Sequence, residues 1–131
     1  MLAAKPRITQ FDDAVISDWH RSLGHDYPAV NIDFLLLEYD GGRAKALIEY
    51  KHENCGVIQS THPTYRALRE LCALRTVELP FFIAKYSHDC TQFQLRPMNI
   101  AGWQLLSTPV SKKLSESEFV GFLNKVRKGG N

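Results

Sequence analysis

The sequence has no apolar run approaching the roughly 18 residues that a membrane-spanning helix needs, so no membrane span is expected. Behind Met1-Leu-Ala-Ala-Lys-Pro-Arg7 there is no apolar signal core, and the sequence predicts a cytoplasmic protein. Cysteine is scarce. Cys55, Cys72 and Cys90 are odd in number and show no CxxC spacing, which argues against a disulfide framework and for free thiols in a reducing compartment. His52, Cys55 and His62, or His88 with Cys90, match no common zinc-ligand spacing. No local signature of a Cys–His nucleophile is present, and there is no internal repeat or low-complexity linker. An excess of charge of one sign is also missing. The net charge is +2, which permits a nucleic-acid partner without pointing to one.

The composition that remains is that of an ordinary globular chain. Its 131 residues, 44% hydrophobic and 23% charged, suit one domain spanning 1–131 with one core. Phe11, Val15, Ile16, Trp19 and Leu23 recur at helical spacing, with Thr9 and Asp12 as a capping signal and Gly24 as a stop. Two strand-like runs then flank Asp40-Gly41-Gly42, a hairpin signal. The first run is nearly continuous in apolar residues from Ile32 to Leu37, interrupted by Asp33, and reads as a central strand covered on both faces. A second helix follows, with Tyr65, Leu68, Leu71 and Cys72 on its apolar stripe. "PFFIAKYS" and "TQFQLRPM" read as two further strands. In the last element Ser115 and Glu118 form a capping box, Leu114 and Phe119 a hydrophobic staple, and Phe119, Phe122, Leu123 and Val126 a buried stripe. The order predicts an α/β fold: a central mixed β-sheet flanked by helices.

One stretch departs from this plain pattern. "ALIEYKHE", Ala46 to Glu53, reads as a strand, yet it carries Glu49, Lys51, His52 and Glu53. Because side chains alternate along a strand, Leu47, Glu49 and Lys51 share one face, and Ala46, Ile48 and Tyr50 the other. A turn at Gly41-Gly42 can bring Asp33 of the preceding run near Glu49. Two carboxylates at one end of a sheet make a hard oxygen site suited to Mg²⁺ or Mn²⁺, and an adjacent lysine can position water or stabilise developing charge. The plain alternative puts Glu49 and Lys51 on the solvated face of an edge strand.

Asp33, then fifteen residues, then Glu49-Tyr50-Lys51, with a helix before and a helix and strand after, resembles the PD-(D/E)XK nuclease superfamily from about residue 8 to residue 96. The resemblance implies a restriction-endonuclease-like core. It also implies that Asp33, Glu49 and the carbonyl of Tyr50 bind Mg²⁺ or Mn²⁺, and that Lys51 positions the attacking water. The implied reaction is hydrolysis of phosphodiester bonds in DNA, less often RNA. The proline of the motif is replaced by Ile32, as in many members. Gln59 and Tyr65 are six residues apart rather than four, unlike the helicase-associated branch, and the short chain is more like the stand-alone resolvase-type or phage-type nucleases.

Many members carry an acidic residue on the first helix, for which Asp18 is the candidate; Glu53, on the face of Lys51, is a candidate outer contact to metal or water. Arg66 and Arg69 lie off the apolar stripe of the second helix and could meet phosphates. Many members act as dimers because two strands must be cut. A homodimer is therefore compatible, with Trp103 and "NIAGWQLLSTPV" as either interface or core. Two other readings stand beside this one: an inactive nuclease-fold module for DNA binding or assembly, and a small interaction domain unrelated to nucleic acid.

Overall fold

The alternation of apolar residues in the middle of the chain produces a five-stranded sheet. The computed structural model describes residues 14–26, 32, 34–38, 41–106 and 108–128. The chain divides into two units, Met1–Asn31 and Ile32–Asn131. In the first, helix α1 spans Ala14–Ser22. Gly24, at φ +83°, follows it in the left-handed conformation that glycine adopts without a steric penalty. Val15, Ile16, Trp19 and Leu23, the described members of its predicted stripe, are exposed. The predicted cap residues Thr9 and Asp12, and Phe11, lie outside the described residues.

The second unit holds β1 (Phe34–Glu38), β2 (Arg43–His52), α2 (Pro63–Ala73), β3 (Phe81–Tyr86), β4 (Gln92–Pro97), α3 (Ile100–Leu105), β5 (Leu114–Ser115) and α4 (Glu116–Lys128). The strands lie side by side in chain order. The β2–β3 ladder is parallel and the other three are antiparallel, so the sheet is mixed as expected. Gly42, at φ +65°, makes the predicted turn between β1 and β2, and the Glu38 carboxylate accepts from the Gly41 N–H.

The apolar run in β1 proved to be an edge strand rather than a central one. Among the described residues it pairs only with β2, and Phe34, Leu35 and Leu37 are exposed. Continuous apolarity reports how much surface a strand could bury, not which neighbours it receives.

The core is split by the sheet. On one face Ala46, Ile48, Phe82, Ala84 and Leu95 meet Phe119, Phe122 and Val126 of α4. On the other Leu47, Phe81 and Ile83 meet Tyr65, Leu68 and Cys72 of α2. The α4 start follows its sequence signal. The Ser115 hydroxyl accepts from the Glu118 N–H at 3.2 Å, the Glu118 carboxylate accepts from the Ser115 N–H at 2.9 Å, and Leu114 and Phe119 are both buried. Leu71 leaves the predicted stripe of α2 and is 46% exposed. It lies about 100° around the helix from Cys72, past the edge of the contact.

Segment 100–106 divides its apolar residues: Leu105 and Leu106 pack against the α4-side core, while Ile100 and Trp103 face outward. Asn99 sets this segment in place. Its Oδ1 accepts from the N–H groups of Phe81 and Gly102, and its Nδ2 donates to the Leu79 carbonyl. A Cβ on Gly102 would come within 2.8 Å of the Phe81 carbonyl oxygen, so this close approach of α3 to β3 needs glycine.

Candidate active site

The strand β2 runs between β1 and β3, and its last residues carry the charges that stood out in the sequence. Glu49 pairs with Ile83 and Lys51 with Lys85 across the parallel ladder. Partners in a ladder share a face, so Glu49 and Lys51 follow Leu47 on the α2 side. The alternation also puts Tyr50 on the α4 side, where its ring lies edge-on to Phe34 and Phe119. Burial there pushes the Tyr50 phenol above its ordinary pKa.

The carboxylate of Glu49 is not on a solvated edge. Its side chain is only 12% exposed, against 35% for Lys51, and the Lys51 ammonium lies 3.6 Å from Glu49 Oε1. A carboxylate that far removed from water is costly unless it is paired or coordinated. Lys51 also borders a cavity of about 320 Å³ walled by Cys55–Gln59 and by His62, Thr64 and Tyr65 at the start of α2. The His62 ring caps that helix, its Nδ1 accepting from the Thr64 N–H.

Asp33, the second carboxylate of the motif, lies outside the described residues. The β1–β2 ladder is described up to Phe34 opposite Ile48, the residues next to Asp33 and Glu49 in the sequence. Among the described residues no three His, Cys, Asp or Glu side chains gather as a metal site. Glu49 supplies hard oxygen donors of the kind Mg²⁺ and Mn²⁺ prefer.

The other residues singled out in the sequence lie at or just past the end of β2, on α1 and on α2. The strand ends at His52, and the Glu53 carboxylate turns to accept from the His88 N–H at 2.7 Å, bracing the turn between β3 and β4. The Glu53 N–H continues the pairing with β3 by donating to the Tyr86 carbonyl, and its side chain lines a hollow with Lys85 and Gln94. His52 accepts from the Asn54 N–H through Nδ1 and points Nε2 at Nδ1 of His88, 3.4 Å away. Asp18 belongs to α1 in the first unit, where its carboxylate, 75% exposed, pairs with Arg21 at 3.4 Å. Arg69 is half-buried and donates to the Ser60 carbonyl, tying the loop before α2 to the helix, while Arg66 is exposed.

The sheet adds polar residues that the sequence pattern did not single out. Lys85 and Gln94 are ladder partners, as are Ile83 and Arg96, so the row Lys51–Lys85–Gln94 runs across three strands with Arg96 one row behind. The available signal was that both parallel strands carry a lysine towards their carboxyl end, in "ALIEYK" and "FFIAK". No protein-family model, curated protein or solved structure matches the chain. No helix among the described residues is long and apolar enough to cross a membrane.

Proposed function

We propose that the chain is a metal-dependent nuclease of restriction-endonuclease-like type, hydrolysing phosphodiester bonds in DNA within the cytoplasm. The observation that carries this reading is the largely buried Glu49 carboxylate beside Lys51, at the carboxyl end of an inner strand whose neighbour is parallel. Clefts beyond the carboxyl ends of parallel strands are the usual ligand sites of open α/β sheets. The register supports the pairing of carboxylates as well: continued by one residue beyond Phe34–Ile48, it would set Asp33 opposite Glu49.

In this reading Asp33, Glu49 and the Tyr50 carbonyl hold Mg²⁺ or Mn²⁺. Such an ion, once bound, would supply a water of lowered pKa and would offset charge on the phosphate. Glu49, fixed by the strand and shielded from solvent, keeps its oxygens in place without reorganisation. Lys51, half exposed at the cavity mouth, orients the attacking water and offers its N–H groups to the phosphate oxygens. Three free cysteines, Cys55, Cys72 and Cys90, accord with a reducing compartment.

The test is cleavage of plasmid, linear and branched DNA with Mg²⁺, with Mn²⁺ and with a chelator. Metal-dependent cleavage is expected, with Glu49→Ala and Lys51→Ala each reducing it by about 100-fold or more. DNA bound but left intact under every metal condition would instead favour a non-catalytic binding module. Neither binding nor cleavage would leave an interaction domain unrelated to nucleic acid.

A further inference from the structure

We propose that Lys85, Gln94 and Arg96 form a seat for a backbone phosphate of the nucleic-acid substrate, one step along the strand from the phosphate held at Glu49 and Lys51. This rests on the reading of the substrate as DNA, and it adds a second anchoring point to that site.

The argument begins with charge. Lys51 and Lys85 are ladder partners on one face. Like charges directly opposite each other on a sheet are destabilising. Arg96 adds a third cation in the next row, beside Ile83. The described carboxylates beside these rows are Glu49 and, at the strand end, Glu53, which lines a hollow with Lys85 and Gln94, so three cations face two carboxylates and an anion would offset the remaining positive charge.

Burial sharpens the argument. Lys85, Gln94 and Arg96 are all half-buried and line one cavity of about 340 Å³, rimmed by Val57, Ile58 and Val110. Partly desolvated cations bind anions more strongly than exposed ones, because the local dielectric is lower. A water occupies about 30 Å³ in the liquid, so there is room for a phosphodiester group with solvent around it.

The donors are also available. The Lys85 ammonium has no side-chain hydrogen bond or ion pair among the described residues. Arg96 donates through Nη1 to the Ile58 carbonyl at 3.2 Å, which orients the guanidinium and leaves its other N–H groups. Gln94 donates through Nε2 to the Val110 carbonyl at 3.2 Å. The two carbonyl contacts come from loops on either side, so Arg96 and Gln94 are held while Lys85 supplies the mobile charge. Phosphate contacts of this kind position the nucleic acid without reading its sequence.

The experiment measures binding of a labelled DNA duplex in chelator, where cleavage is absent, over a range of salt concentrations. For wild type, the logarithm of the binding constant should fall linearly with the logarithm of salt concentration. Lys85→Gln should weaken binding several-fold and reduce the slope by about 0.9, the value for one lost phosphate contact, whereas Lys85→Arg should keep the wild-type slope. An unchanged slope in Lys85→Gln overturns the seat even if wild type cleaves DNA with Mg²⁺. A reduced slope supports the seat even if no cleavage is found, in which case only the hydrolytic reading fails. Absence of DNA binding by wild type overturns the seat, and absence of metal-dependent cleavage as well overturns both.

Discussion

The two faces of the sheet are built from the same strands and come out differently. On the α4 side the apolar character continues along the strands: Ala46, Ile48, Phe82, Ala84 and Leu95 are buried, and Tyr50 and Phe93 extend the cluster to the strand ends. Stacked Phe93 and Phe119 rings, with centroids 4.2 Å apart, close it. On the α2 side the pattern begins alike, with Leu47, Phe81 and Ile83 against Tyr65, Leu68 and Cys72. It then gives way to Glu49, Lys51, Lys85, Gln94 and Arg96. Where the apolar cover ends, charged side chains come in half-buried. Register is pinned by the face that is apolar to the end, because a slip of one residue would expose that entire set. The second face is thereby free to carry groups that are poor packing material.

The comparison can be broken most directly by truncation on each face. Phe82→Ala removes a fully buried ring that lies edge-on to Phe122 at 5.1 Å, and should cost about 3–5 kcal/mol. On the opposite face Lys85→Met, which removes one of two facing like charges, should change stability by less than about 0.5 kcal/mol in either direction. Urea unfolding of both variants checks the pair, and equal losses would show that the charged rows are part of the structural core.

A smaller effect tests how the α2 side is held at its base. Asn99→Ala removes the acceptor for Phe81 and Gly102 N–H groups and the donor to Leu79, and should cost about 1–3 kcal/mol in the same assay. Asn99→Asp keeps the acceptor and should recover part of it.

The smallest effect concerns alkaline pH and sets Cys72 on the α2 side against Tyr50 on the α4 side. Burial, with the negative charge of Glu78 adding and Arg75 opposing, pushes the Cys72 thiol from 9.0 to about 11. A group whose pKa is raised by folding contributes stability that is complete below its unfolded value. For Cys72 that contribution is lost as the pH rises from about 9 to about 11. Tyr50 shifts in the same direction through burial. Unfolding midpoints followed across that range should fall less steeply in Cys72→Val than in wild type, the remaining slope including the part due to Tyr50.

Local signals in the sequence were readable where one or two residues decide the geometry. Gly42 makes the turn between β1 and β2 because its positive φ is available to glycine. Ser115 and Glu118 start α4 through reciprocal hydrogen bonds that involve only neighbours. The alternation in "ALIEYK" correctly separated Ile48 and Tyr50 from Glu49 and Lys51, because period two follows from strand geometry alone. What depends on lateral neighbours was not readable. Ile32 to Leu37 has the composition of a central strand, but chain-order pairing leaves β1 at the edge. Lys85, Gln94 and Arg96 join Lys51 only because β3 returns parallel to β2, and no property of "PFFIAKYS" specifies that return. Asn99 was missed for a related reason: its partners Leu79 and Phe81 lie outside any local window.

The parallel β2–β3 ladder has a kinetic consequence. The β1–β2 hairpin closes through a short turn, and hairpins of this kind form within microseconds. Leu47 and Phe81 are on the order of 30 residues apart in the chain, so joining β2 to β3 must first close a loop that contains all of α2. The row that gathers Lys51 with Lys85 is therefore assembled late, after the hairpin that carries Glu49 already exists. A nascent chain that has emerged only as far as α2 would hold half of the charged cluster and no neighbour for the inner edge of β2, the state in which the chain is most exposed to mispairing with another copy.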